Sequence, residues 1–194
     1  EENSIKTLME ALVVIGILMS FAGSSRPASG SEHHLSHFFE ITGIINSEEY
    51  FPHGIDVAYS TVITSEIREK LLSQPFKDKI YRPKTADYQS KMQEIYKSVA
   101  DGCIELQNKI GNYKTDRSDI YKEKETEIKK ILAEAPSAEK IKELLSLADL
   151  DIKEFYNLYN KGKLNDAVLY AKDLKDRYTV LWINYDYFGD EENV

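Results

Sequence analysis

The chain has 194 residues, 42% of them hydrophobic and 30% charged, which suits one folded domain and excludes a disordered one. A net charge of -8 repels phosphate backbones, so nucleic acid is not an expected partner. A single cysteine, Cys103, excludes an intramolecular disulfide and a cysteine-based zinc knuckle, and a reducing, cytoplasmic setting is the simplest expectation.

The first element spans about Ser4 to Phe21. It begins amphipathic through Ile5, Leu8, Met9 and Leu12 and becomes apolar on all sides over Ala11–Ala22. That apolar run is shorter than the roughly 20 residues of a spanning helix. Glu1, Glu2, Lys6 and Glu10 precede it in place of a basic leader. The expectation is a helix buried at the centre of a protein, with no membrane involved. The loop 22–27 follows, then a helix from about Ser29–Ser31 to Ile45. Residues 46–51 read as a turn, and Pro52 as the first residue of a third helix lined by Ile55, Ala58, Val62, Ile63 and Ile67.

Gln74–Pro83 is a connector. Beyond it Met92, Ile95, Tyr96, Val99, Cys103, Leu106 and Ile110 repeat at the spacing of one helix face, with Cys103 as a small core residue. A charged helix over Asp119–Ala135 precedes Pro136-Ser137, which breaks and recaps the chain. The next stripe is Ile141, Leu144, Leu145 and Ala148. Asp151 with Glu154 has the form of a capping box, and Gly162 would end that helix. A last helix carries Ala167, Ala171, Leu174, Tyr178 and Leu181, and the acidic tail beyond Gly189 is expected to fray. No stretch alternates with period two. The fold expected is an all-α bundle of about seven to eight helices in a single domain.

All four histidines lie between His33 and His53. His33 and His37 share a helix face at i, i+4, and a helical hairpin would return His53 to their neighbourhood. His34 points about 100° away from His33. Imidazoles gathered in this way suit a metal, although two histidines at that spacing also decorate exposed helices with no metal. Two histidines are one ligand short of an ordinary site, with Glu32, Glu40 and Asp56 as local carboxylates. There is no HExxH, no GxGxxG, no P-loop and no nucleophile elbow.

The run Ser25–Glu40, SRPASGSEHHLSHFFE, followed by His53-Gly54, resembles the sn-glycerol-1-phosphate dehydrogenase group. Its kin are glycerol dehydrogenase, dehydroquinate synthase and the iron-containing alcohol dehydrogenases. Ala171–Leu181, AKDLKDRYTVL, is similar to that group's closing helix. The resemblance implies the helical C-terminal domain of a dehydroquinate synthase-like fold, lining a cleft shared with an N-terminal nucleotide-binding domain. In this group an aspartate and two histidines hold a divalent metal (zinc, iron or nickel). The histidines map onto His33 and His53, and His37 onto a catalytic histidine near the substrate. Arg26 is either a substrate anchor or a structural residue at the loop-to-helix junction.

The implied reaction is hydride transfer between NAD or NADP, bound mainly by the other domain, and a polyol, its phosphate or the matching ketone. The nucleotide-binding domain and the ligand aspartate are not found in this chain, so the isolated chain is expected to be inactive. A homo-oligomer is compatible with the resemblance. The alternatives are a dehydroquinate-synthase-like cyclase domain, which SRPASGSEH argues against, and a non-catalytic helical interaction module.

Overall fold

The computed structural model describes residues 2–76 and 79–189. The described residues form ten α-helices and four short 3-10 turns, with no strand. The chain divides into two units, Glu1–Gly30 and Ser31–Val194.

In the first unit, α1 (Glu2–Ala22) ends on Gly23, whose φ of +59° is left-handed. The Gly23 N–H bonds the Ser20 carbonyl and the Ser24 N–H the Met19 carbonyl, the paired closure that glycine makes free of strain. A 3-10 turn, Arg26–Ala28, follows with Pro27 inside it. The expectation that α1 is buried is not met, because none of its residues is buried. Leu12, Val13, Val14, Ile17 and Leu18 are all exposed. A helix apolar on every side needs cover on every side, and the core residues all lie beyond it, from Leu35 onward. The expectation of a helix too short to span a membrane also fails. With its amphipathic first turns α1 reaches 21 residues, long and apolar enough to cross a membrane by length and composition alone.

In the second unit α2 (Ser31–Asn46) and α3 (His53–Ser73) pack together. Leu35, Phe38 and Phe39 from α2 and Tyr59, Ile63, Ile67 and Leu71 from α3 enter one buried cluster. It also takes Met92 and Tyr96 from α4 (Thr85–Tyr96), Cys103 from α5 (Ala100–Ile110) and Tyr121 from α6 (Ser118–Ala133). Beyond α7 (Ala138–Leu147) come Phe155 from α8 (Ile152–Leu158), Ala167 and Val168 from α9 (Lys161–Tyr170), and Leu181 from α10 (Val180–Phe188). Burying a large apolar side chain contributes about 1.5–3 kcal/mol. The aromatic share adds ring contacts such as Phe39 stacked on Tyr159, centroids 4.0 Å apart.

The helices outnumber the seven or eight expected because two stripes are interrupted. The stripe from Met92 to Ile110 breaks at Lys97, whose φ is +44°, so Val99 turns outward and Gln107 is buried. The stripe from Ala167 to Leu181 divides between α9, the turn Ala171–Leu174 and α10. Ser137 and Asp151 cap as expected, accepting the N–H groups of Lys140 and Lys153. Glu154 takes the Tyr59 hydroxyl as a partner. Gly162 does not end α8. It lies inside α9, which Asn160 caps. Pro52 stands just before α3 and not in it. The acidic tail falls outside the described residues.

The interruption at Ala171–Leu174 buries a charge pair. Lys172 and Asp173 are both 0% exposed, with Nζ 2.7 Å from Oδ2. The ammonium also donates to the Leu169 carbonyl and the Tyr113 hydroxyl, each at 2.7 Å. The Tyr185 ring lies 3.7 Å from it and the Trp182 ring 4.7 Å. Burial alone drives the Lys172 pKa down and the Asp173 pKa up, and the contact between them opposes both shifts. Lys172→Met, which strands Asp173, is expected to lower unfolding stability by about 3–5 kcal/mol in urea titrations. Adding Asp173→Asn should restore part of that loss. An unchanged midpoint for Lys172→Met would show that the pair contributes nothing.

Candidate metal centre

The histidines meet because the chain folds back along α2. After Asn46, Ser47 adopts a φ of +56° and the Glu48 N–H bonds the Gly43 carbonyl at 2.9 Å. Tyr50 then lies over Gly43, where a Cβ would stand 2.6 Å from its ring, so only glycine admits the return. Phe51 is fastened next. Its N–H donates to the Tyr159 hydroxyl at 3.2 Å, and that hydroxyl faces both Asp56 carboxylate oxygens at 3.0 Å. His53, the first residue of α3, is thereby held against the first two turns of α2.

His53 stands between two histidines one turn apart. Its ring centroid is 5.4 Å from His33 and 4.9 Å from His37. Ser36, on the same face, places its hydroxyl 3.0 Å from His53 Nδ1 and 3.4 Å from the His53 carbonyl oxygen. When the hydroxyl donates to the carbonyl, its oxygen accepts Nδ1–H, and that tautomer has a free Nε2 lone pair. His33 Nδ1 lies 2.8 Å from Glu32 Oε1, and that carboxylate imposes the same tautomer. His37 Nδ1 lies 3.3 Å from Glu40 Oε2. Burial and the charge of Lys175 lower the His37 pKa, with Glu40 pulling the other way.

Ligand atoms of His37, Glu40 and His53 all lie within 4.8 Å of one another. His33 is near His53 but joins no such group of three among the described residues. Imidazole nitrogen with carboxylate oxygen suits a borderline divalent cation, so the donor set fits one. Asp56 is buried just below, its pKa pushed up to about 7 by desolvation against the pull of the Tyr159 hydroxyl. The parts missing from the sequence reading are Ser36, Tyr159, Lys175 and Arg177. Ser36 shares the face of His33 and His37, which is a readable signal. Tyr159 lies over a hundred positions from Asp56 and gives none.

His34 is 0% exposed and turned away from the cluster, and neither of its ring nitrogens has a hydrogen-bond partner. Burial, reinforced by Lys175 and Arg177, lowers its pKa from 6.5 to about 3. The unfolded chain therefore binds a proton that the folded chain refuses. Stability from this residue is full above pH 6.5 and is lost as pH falls toward 3, by roughly 1.4 kcal/mol per unit. In metal-free buffer the stability of a His34→Leu variant relative to the parent should rise by about 2 kcal/mol between pH 6.5 and pH 5. A difference independent of pH would show that His34 titrates normally.

No family model matches the chain, and no solved structure matches it. Curated relatives do, and those compared are glycerol-1-phosphate dehydrogenases that use NAD(P)+. The protein from Bacillus licheniformis is 27% identical over 187 residues, 95% of this chain and 35% of its own length. The one from Korarchaeum cryptofilum is 45% identical over 67 residues, 34% of this chain and 21% of its own. That from Geobacillus thermodenitrificans is 34% identical over 107 residues, 50% of this chain and 26% of its own. The chain spans at most about a third of these relatives, 35% in the Bacillus licheniformis protein. It is a relative of the glycerol-1-phosphate dehydrogenases, matched through the C-terminal part of those enzymes.

Proposed function

We propose that this chain is the metal-binding helical domain of an NAD(P)-dependent glycerol-1-phosphate dehydrogenase. A nucleotide-binding domain would supply the second wall of the cleft and most of the nicotinamide site. His33 and His53 would be two metal ligands, with a third from outside this chain, and His37 would face the substrate. The observation that carries the reading is the pair of fixed imidazoles. Glu32 and Ser36 each engage an Nδ1, which leaves two Nε2 lone pairs on neighbouring rings. Ligand histidines are ordinarily oriented in this way.

When bound, the metal would act as a Lewis acid on the substrate oxygen, and zinc, iron and nickel all suit the donors. The chain's own residues orient and hold charge. His37, half-buried beside Glu40, would exchange a proton with a substrate hydroxyl. Lys175 and Arg177 exert positive charge on His34, and Lys175 on His37. Positive charge near His37 would favour a phosphorylated polyol or its ketone over the free forms. The buried Cys103, its pKa pushed up to about 11 by burial, is an inert core residue and accords with a cytoplasmic enzyme.

The test is a chimera in which this chain replaces the matching C-terminal part of the Bacillus licheniformis relative. It should reduce dihydroxyacetone phosphate with NADH or NADPH. His33→Ala and His53→Ala should each lower the rate by at least about 100-fold, beyond what loss of an outer partner costs. His37→Ala should reduce turnover more than metal content. If the chimera folds and both ligand variants keep their activity, the metal assignment fails. If free dihydroxyacetone is preferred, the phosphate assignment fails.

A further inference from the structure

Gln107 of α5 is 2% exposed, and its side chain serves two main-chain carbonyls far along the chain. Nε2 donates to the Asp173 carbonyl at 3.0 Å and to the Lys175 carbonyl at 3.3 Å. Both acceptors are oxygens, so the amide must present its NH2 group to them and turn Oε1 away. Oε1 is buried with no hydrogen-bond partner. An unpaired buried acceptor is costly, and here the cost accompanies two contacts to one short segment. We propose that Gln107 is a positioning residue for the phosphate of the substrate and acts through Lys175. The inference rests on the reading of the substrate as a phosphorylated polyol or its ketone.

The segment runs from Asp173 to Lys175, at the end of the turn Ala171–Leu174. Its first residue is fixed through the side chain, because the Asp173 carboxylate meets Lys172 Nζ at 2.7 Å and the Tyr113 hydroxyl at 2.9 Å. Gln107 fixes its last residue through the backbone. Lys175 is extended there, with φ -140° and ψ 163°. A lysine stem is flexible, so its reach is only as definite as the main chain it springs from. Burial lowers the Lys175 pKa, Arg177 adds to the lowering, and Glu32 opposes it. Two cations thus stand against one carboxylate, which also meets His33 Nδ1 at 2.8 Å. A phosphate held by Lys175 and Arg177 would relieve the repulsion between them through charge-assisted hydrogen bonds. Lys175 is also near enough to His37 for its charge to act on that ring. A phosphate there would lie beside the histidine that faces substrate.

The experiment titrates the 194-residue chain with inorganic phosphate, followed by calorimetry at fixed ionic strength. Working at about pH 8 keeps ordinary imidazoles neutral. Far-UV circular dichroism would verify the fold of each variant. Phosphate should bind the parent chain, and Lys175→Met should weaken it by about tenfold, the loss of one charge-assisted hydrogen bond. Gln107→Met keeps the length of the side chain and removes its donors. It should weaken binding by at least about threefold, and the double variant should bind no worse than Lys175→Met alone. In the parent chain the Gln107 side-chain amide resonances should shift as phosphate binds, a readout that needs no variant to fold. The inference is overturned if the parent binds no phosphate, if either single variant binds as the parent does, or if the two effects multiply. An amide signal that ignores phosphate overturns it as well. Failure of the dehydrogenase reading would show instead in the chimera, as lost reduction while the chain still binds phosphate.

Discussion

The Tyr159 hydroxyl joins parts of the chain that share no local signal. It accepts the Phe51 N–H and faces both oxygens of Asp56, while its ring stacks on Phe39. One side chain thus ties α2, the returning loop and the first turn of α3 together, and His53 begins in the middle of that tie. Asp56 accepts the arrangement at the cost of desolvation, visible in its raised pKa. Without Tyr159 the loop would keep the Gly43 turn but lose its second anchor. The distance from His53 to α2 would then be free to vary, and a metal centre tolerates little such variation.

Much of this was readable from the residues. Period-3.6 stripes placed α2, α3, α6 and α7 close to their observed bounds, because α2 and α3 bury apolar residues in the core and α6 and α7 lay Ile128, Leu132 and Leu145 half-buried against it, while Ile131 and Leu144 of the expected stripes stay exposed. Caps at Ser137 and Asp151 were readable because a short polar side chain beside a free helix terminus has little else to do. The breaks at Lys97 and Ala171–Leu174 were not. Apolar residues on both sides continue in phase, and tertiary demands, above all the buried Lys172–Asp173 pair, override local propensity there. Helix α1 misled in another way. A uniformly apolar helix announces that it must be covered, and says nothing about what covers it.

At the site, spacing alone grouped His33 with His37, and the fold adds the element that spacing could not supply. The loop retraces α2 and does not simply reverse at its end, so His53 reaches the first turns of that helix and not the last. The same path explains why Glu40 gains importance. It lies one turn beyond His37, beside the returning chain, where its carboxylate adds an oxygen donor to nitrogen donors. His34 shows the converse. Four imidazoles close in sequence look alike, yet a rotation of about 100° per residue sends this one into the core.

The cage around Lys172 makes Trp182 an internal probe. It is the single tryptophan of the chain, wholly buried, with its ring stacked parallel to Tyr178 and within 4.7 Å of a lysine ammonium. An indole in such surroundings emits at shorter wavelength than one in water, and nearby tyrosines pass excitation to it. Fluorescence excited where only tryptophan absorbs therefore watches the packing of the closing segment around Trp182. Compared with circular dichroism, which averages over all the helices, it would reveal whether that segment melts with the rest or ahead of it.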